Sequence, residues 1–193
     1  MTYPLAFSTW GDEEVDAIKR VIDTDMYTMG KHVKQFEREF AETFGSPHAV
    51  MVNSGSCANL LMLSLEKWKY KLSGDIIVPV VGWATTYFPI SQNGFRLNFV
   101  DVDPNTWNID VSKIEAAITP ETCAIMPVNL LGNSCDYKRI IELCEEHKLL
   151  LIEDNCESMG AKYHNTYTGT IGLAGSFSFF FSHHIQTMEG GMV

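Results

Sequence analysis

Short apolar runs alternate with amphipathic segments along most of the chain, and this alternation constrains the fold more than any other feature. The apolar runs that predict strands lie at residues 49–52, 76–78, 97–100, 123–128, 149–152 and 177–181. Segments between them, such as 56–71 and 137–147, have the apolar spacing of helices. Strands that alternate with helices of this length predict an α/β fold, with a mostly parallel sheet covered by helices on both faces.

Length, charge and cysteine content restrict the class of protein. A chain of 193 residues suits one domain, taken here as residues 1–193. The formal net charge is −10 and no run of lysine or arginine is present, so we expect no nucleic-acid partner. The five cysteines form no C-x-x-C pair, which predicts neither a metal site nor a disulfide framework. Reduced thiols and the absence of a signal sequence at the first residues favour a cytoplasmic protein.

Two uncharged segments are each compatible with more than one environment. The uncharged run from Ile76 to Phe95 is long enough to cross a bilayer, but its prolines and glycines favour a buried strand followed by a helix. We therefore expect no membrane association. The run from Gly190 to Val193 looks like the start of another strand, so we expect a sheet edge exposed there unless another segment covers it.

A first candidate binding segment runs from Asn53 to Leu60, where a predicted strand passes into a predicted helix. Small residues such as Gly55 and Ser56 let the backbone approach an anion, and the unpaired amides of the first helical turn point toward it. An ordinary serine cap on a helix explains the same residues equally well.

A second candidate lies at Glu153 and Asp154, which end an apolar strand. Ligand sites of open parallel sheets lie at the carboxyl ends of strands, and a buried carboxylate needs a cationic or hydrogen-bonding partner. A protonated pyridine nitrogen is one such partner. A strand-end acid that faces solvent is the competing interpretation.

The segment from Ser176 to Val193 combines an aromatic strand, two histidines and a Glu-Gly-Gly turn. Together with 26–31, 35–37, 53–56 and 153–158, it resembles the DegT/DnrJ/EryC1/StrS family of sugar aminotransferases, which use pyridoxal phosphate. The resemblance covers essentially the whole chain but only the first half of the family fold. It implies the large domain of a type I-like pyridoxal-phosphate aminotransferase, truncated before a C-terminal small domain.

In the family pattern, the lysine that carries the cofactor falls on His183. Imidazole cannot form that covalent link, but it can move a proton, so the resemblance implies that His183 is a catalytic base. His184 is interpreted as structural. The resemblance also implies cofactor-binding roles for the phosphate-binding residues Gly55, Ser56 and Ser178, for Trp83 on the ring face, for Asp154 on the ring nitrogen, and for Glu157, where many family members have Gln.

The exchange of lysine for histidine implies 3-dehydration of a nucleotide-linked 4-keto-6-deoxy sugar, dependent on pyridoxamine or pyridoxal phosphate, rather than transamination. The implied partners are the nucleotide sugar, an amino donor such as glutamate, and a second copy in a homodimer. Three alternatives stay open: an iron–sulfur-dependent CDP-sugar 3-dehydrase, a nucleotide-sugar aminotransferase, and a non-catalytic half-length homologue that binds a partner.

Overall fold

The structure is a computed structural model that describes residues 3–4 and 6–193. It divides into two compact units, Met1–Ala49 and Val50–Val193. The described part of the first unit contains helices α1 (Asp12–Ile22) and α2 (Lys31–Phe44). Acidic residues fill the first turn of α1, where they complement the helix dipole, and α2 ends at Gly45 with φ of 71°. The apolar spacing of residues 12–23 and 32–44 also predicts both helices.

A seven-stranded sheet forms the centre of the second unit. Its strands are β1 (Met51–Val52), β2 (Asp75–Pro79), β3 (Arg96–Val100), β4 (Thr122–Ile125), β5 (Leu150–Asp154), β8 (Ala174–Ser178) and β9 (Gly191–Met192). Their spatial order is β1-β9-β8-β5-β4-β2-β3. Neighbouring strands from β8 to β3 run parallel, whereas β9 is antiparallel to both β1 and β8. The prediction of a mostly parallel sheet is therefore confirmed.

Helices cover both faces of this sheet, as predicted. They are α3 (Gly55–Tyr70), α4 (Ala84–Gln92), α5 (Val111–Ala117) and α6 (Tyr137–His147). Because side chains alternate along a strand, Ile76 of β2 packs in the cluster that contains Met62 of α3 and Ile90 of α4, whereas the adjacent Ile77 packs with α5 and α6. The uncharged run 76–95 thus becomes β2 and α4. Among the described residues, no helix has the length and apolar character needed to cross a bilayer.

Another segment covers the candidate sheet edge at Gly190–Val193. These residues include β9, which inserts between β8 and β1 and so lies inside the sheet. This position was not predictable, because a strand order cannot be deduced from a strand pattern, and an antiparallel strand can fold back between two earlier ones. Gly191 is buried there, and a Cβ at this position would collide with the carbonyl oxygen of Ser54.

Two other differences concern the region before β9. The strand predicted at 177–181 is β8 at Ala174–Ser178, because Phe179 leaves the strand pairing to exchange backbone hydrogen bonds with Thr187 and Gly190. A small hairpin, β6 (Lys162–Tyr163) with β7 (Thr166–Tyr167), was not predicted. Its strands have two residues each, which is too short for an alternating apolar pattern to emerge.

Candidate active site

A buried carboxylate lies at the carboxyl end of β5, near the middle of the sheet. Asp154 is 3% exposed, and its Oδ2 accepts hydrogen bonds from Asn59 Nδ2 at 2.9 Å and Thr86 Oγ1 at 2.7 Å. Its Oδ1 accepts one from the amide of Cys156 at 3.1 Å. None of the ion pairs found within residues 3–4 and 6–193 involves this carboxylate. A buried anion that has only neutral donors is well suited to a cationic ligand group.

The adjacent Glu153 points to the other face of β5 and has a structural environment. Its carboxylate accepts hydrogen bonds from Tyr137 Oη at 2.7 Å and from the amides of Gly169, Ile171 and Gly172 at 2.6 to 2.7 Å. These bonds tie the loop before β8 to β5. Strand alternation therefore separates the two neighbouring acids, so that Glu153 anchors backbone and Asp154 faces the candidate site.

The N-terminus of α3 lies next to the end of β8. Ser54 caps the helix by accepting a hydrogen bond from the amide of Cys57 at 3.1 Å. A Cβ built on Gly55 would lie 2.6 Å from Ser178 Cβ, so only glycine permits this close approach. The amides at the start of the first turn, which includes Ser56, together with the Ser178 hydroxyl make a cradle that suits a phosphate.

Trp83 stands at the start of α4 and presents its indole to solvent. Trp83 is 67% exposed, so it is not a core residue. Its carbonyl oxygen accepts a hydrogen bond from the amide of Thr86 at 2.9 Å, and the Thr86 hydroxyl reaches Asp154. One helical turn thus connects the exposed indole to the buried carboxylate.

His183 follows β8 in a turn, where its amide donates to the carbonyl oxygen of Phe180 at 2.9 Å. Its side chain is half-buried. Burial lowers the pKa of His183, and the positive charge of His184 lowers it further, while the charge of Asp154 opposes both effects. The imidazole is therefore neutral near pH 7 and able to accept a proton.

Glu157 lies in the turn that follows β5 and shares the electrostatic environment of Asp154 and His184. Burial raises the pKa of Glu157, a hydrogen bond from the Leu131 amide at 3.4 Å acts in the opposite direction, and the charge of Asp154 raises it again. The charge of His184 lowers it. His184, interpreted from sequence as structural, thus has an electrostatic effect on both Glu157 and His183.

Sequence reasoning missed the two side chains that donate to Asp154. Asn59 is four residues after Gly55 on α3, and Thr86 is three residues after Trp83 on α4. Both spacings place the missed residue one helical turn into the element, on the same side as the residue that was identified. Helical periodicity relates each missed residue to an identified one, but it does not show that either residue contacts Asp154.

Comparison with known proteins identifies a family and similar relatives. The sequence model of the DegT/DnrJ/EryC1/StrS aminotransferase family matches residues 8–193. The GDP-4-keto-6-deoxy-D-mannose 3-dehydratase of Yersinia pseudotuberculosis is 53% identical over 197 residues, which cover 100% of this chain and 50% of that protein.

Two solved structures extend the comparison. The Escherichia coli GDP-4-keto-6-deoxy-D-mannose-3-dehydratase with bound hydrated PLP is 52% identical with a TM-score of 0.94, covering 99% of this chain and 50% of that one. A GDP-4-keto-6-deoxymannose-3-dehydratase with a trapped PLP–glutamate geminal diamine has the same identity, coverage and TM-score. The predicted aminotransferase-type fold is therefore confirmed. The chain spans about half the length of the curated relatives it matches.

Proposed function

The chain belongs to the DegT/DnrJ/EryC1/StrS aminotransferase family, and from that premise we propose that it contributes the cofactor site of a PLP-dependent GDP-4-keto-6-deoxy-D-mannose 3-dehydratase. Residues 1–193 then constitute part of the cofactor-binding large domain. The observation that carries the proposal is a half-buried histidine at position 183, in the turn after β8, where an aminotransferase needs a lysine.

The donor set of the site fits pyridoxal or pyridoxamine phosphate. Asp154 offers a buried anion for a protonated ring nitrogen, and Trp83 offers a flat aromatic face. Gly55, Ser56 and Ser178 offer the backbone amides and hydroxyls that a phosphate accepts. When bound, the cofactor supplies an amine for the sugar carbonyl carbon and a ring that accepts electrons.

In this proposal His183 is the general base. Its neutral imidazole accepts a carbon-bound proton beside the cofactor ring, because burial disfavours the imidazolium form before the reaction begins. Asp154 keeps the ring nitrogen protonated. Glu157 binds the cofactor from the turn after β5, where burial raises the pKa of its carboxyl group.

The substrate and donor are proposed from the relatives. The 3-dehydratase named above acts on a GDP-linked 4-keto-6-deoxy sugar, and the trapped PLP–glutamate adduct of the related structure supports glutamate as the amino donor. The net reaction removes the 3-hydroxyl oxygen of the sugar and converts glutamate to 2-oxoglutarate and ammonia. We further propose a homodimer, as the family resemblance implies.

Product analysis tests this proposal. We expect the full chain, supplied with PLP, glutamate and GDP-4-keto-6-deoxy-D-mannose, to release a 3-deoxy ketosugar with one ammonia and one 2-oxoglutarate per turnover. A sugar that retains the amino group would contradict dehydration and indicate an aminotransferase. Turnover of the CDP-linked sugar alone would favour the CDP-sugar 3-dehydrase, and absence of any turnover would favour a non-catalytic homologue.

The pH dependence of kcat/KM provides a second test. Since the pKa of His183 is lowered from the ordinary histidine value, the base form persists into more acidic solution, and the acidic limb of the profile should have its midpoint below about 6.5. His184→Asn removes a repulsive charge and should move that midpoint upward. A midpoint above 6.5 in the wild type, or no shift in the variant, would argue against His183 as the titrating base.

A further inference from the structure

The Asp154 carboxylate is held in a fixed orientation from three sides. Asn59 and Thr86 donate to Oδ2, and the Cys156 amide donates to Oδ1. Ser176 Oγ adds a longer contact of 3.4 Å to Oδ1. Two donors on one oxygen and a backbone amide on the other determine both the position and the plane of the carboxylate.

The two side-chain donors come from different helices that pack on one face of the sheet. Asn59 is 1% exposed and Thr86 is 2% exposed, so solvent competes with neither hydrogen bond. Met62 of α3 and Ile90 of α4 pack in one core cluster with Ile152 of β5. This packing fixes the positions of the two helices relative to the strand. The arrangement is therefore a rigid clamp on the carboxylate, built of packed elements.

The Asn59 amide provides independent evidence that donation to Asp154 is what this residue is used for. Its Oδ1 is buried and has no hydrogen-bond partner among the described residues. Leaving a buried acceptor unsatisfied is unfavourable, and an apolar side chain of similar volume would avoid the cost. The reversed amide would place two acceptor oxygens, Asn59 Oδ1 and Asp154 Oδ2, against each other, whereas the observed orientation forms a hydrogen bond.

We infer that Asn59 and Thr86 are positioning residues that hold the Asp154 carboxylate in place and aimed at the cationic ring of the cofactor, an inference that rests on the proposed function. The two hydrogen bonds satisfy a buried carboxylate oxygen that has no ion pair among the described residues. Neither residue touches the reacting atoms in this account. Each acts through Asp154, and that dependence separates the inference from a purely structural role.

A double-mutant cycle on PLP affinity tests this dependence in the full chain. Thr86→Val keeps the volume and removes the hydroxyl, and it should weaken PLP binding about tenfold, the effect of losing one hydrogen bond to a charged group. Thr86→Ser should restore most of the affinity. In the Asp154→Asn background, Thr86→Val should cause little further loss of PLP affinity. Asn59→Leu should follow the same pattern.

The neighbouring Thr85 provides the matched control, because it lies on the same helix and is only partly buried. Thr85→Val should leave PLP affinity unchanged. Equal losses from Thr86→Val with and without the Asp154 carboxylate, or no loss in either background, would overturn the inference.

The same variants separate this inference from the proposed function. If the wild type bound no PLP, the proposed function would be wrong. Urea unfolding of the cofactor-free protein would still test whether Asn59 and Thr86 hold the Asp154 carboxylate. Coupled effects of Thr86→Val and Asp154→Asn on the free energy of unfolding would support the hydrogen-bonded clamp, whereas additive effects would overturn it.

Discussion

Asp154→Asn is expected to lower kcat by about a hundredfold or more while changing the melting temperature by only a few degrees. The amide preserves the volume of the side chain but cannot hold a pyridine nitrogen protonated, so electron withdrawal by the ring is lost. The carboxylate has no ion pair among the described residues, so its neutralisation removes no salt bridge found there. Steady-state turnover and thermal unfolding of the same PLP-supplied preparations measure the two effects.

The adjacent acid provides the comparison for this experiment. Glu153 accepts four hydrogen bonds, three of them from backbone amides, so Glu153→Gln should lower the melting temperature by considerably more than Asp154→Asn does. Asp101→Asn removes an exposed acid that pairs with Lys113 and should change neither quantity. Unchanged turnover in Asp154→Asn would reject the assignment of Asp154 to the ring nitrogen.

Replacement of His183 is expected to have the second large effect. His183→Lys should form a covalent bond to PLP, which borohydride reduction followed by peptide mass analysis detects at position 183. Dehydration should fall about a hundredfold, since a positioned general base has been removed, although some amine transfer to the sugar is expected instead. The wild type, which has no lysine at positions 182–187, should show no adduct on that segment.

His183→Asn separates the loss of the base from the gain of a tether. Asparagine is polar and of intermediate size, but it neither accepts a proton at neutral pH nor binds the cofactor covalently. We expect dehydration to fall as far as in His183→Lys, without the covalent adduct. Dehydration at the wild-type rate in either variant would show that His183 is not the base.

Much of the fold was predictable because its signals are local. Runs such as 76–78 and 149–152 are apolar and short, and helices such as α2 and α6 have regular apolar spacing, so each element is specified within a few residues. Long-range pairing was not predictable. The insertion of β9 between β8 and β1 depends on the close approach of Gly191 to Ser54, which lie far apart in the sequence.

In the candidate site, too, the residues with local sequence signals were predictable and those that depend on long-range packing were not. Asp154 and Gly55 lie where strand and helix ends place them, and such ends can be located from the sequence. Asn59 and Thr86 look like ordinary helix residues until α3 and α4 are packed beside β5, because their importance comes from a hydrogen bond across the fold. The lowered pKa of His183 also depends on burial, which the sequence does not reveal.

The most direct test of the central claim is a single turnover of the full chain loaded with pyridoxamine phosphate. The measured quantity is the rate at which GDP-4-keto-6-deoxy-D-mannose loses its 3-hydroxyl, compared between the wild type and His183→Asn at equal cofactor occupancy. We predict rapid formation of the 3-deoxy ketosugar by the wild type and a rate about a hundredfold lower in the variant. Equal rates for the two proteins, or a wild type that releases only an amino sugar, would contradict the claim that His183 directs this site to dehydration.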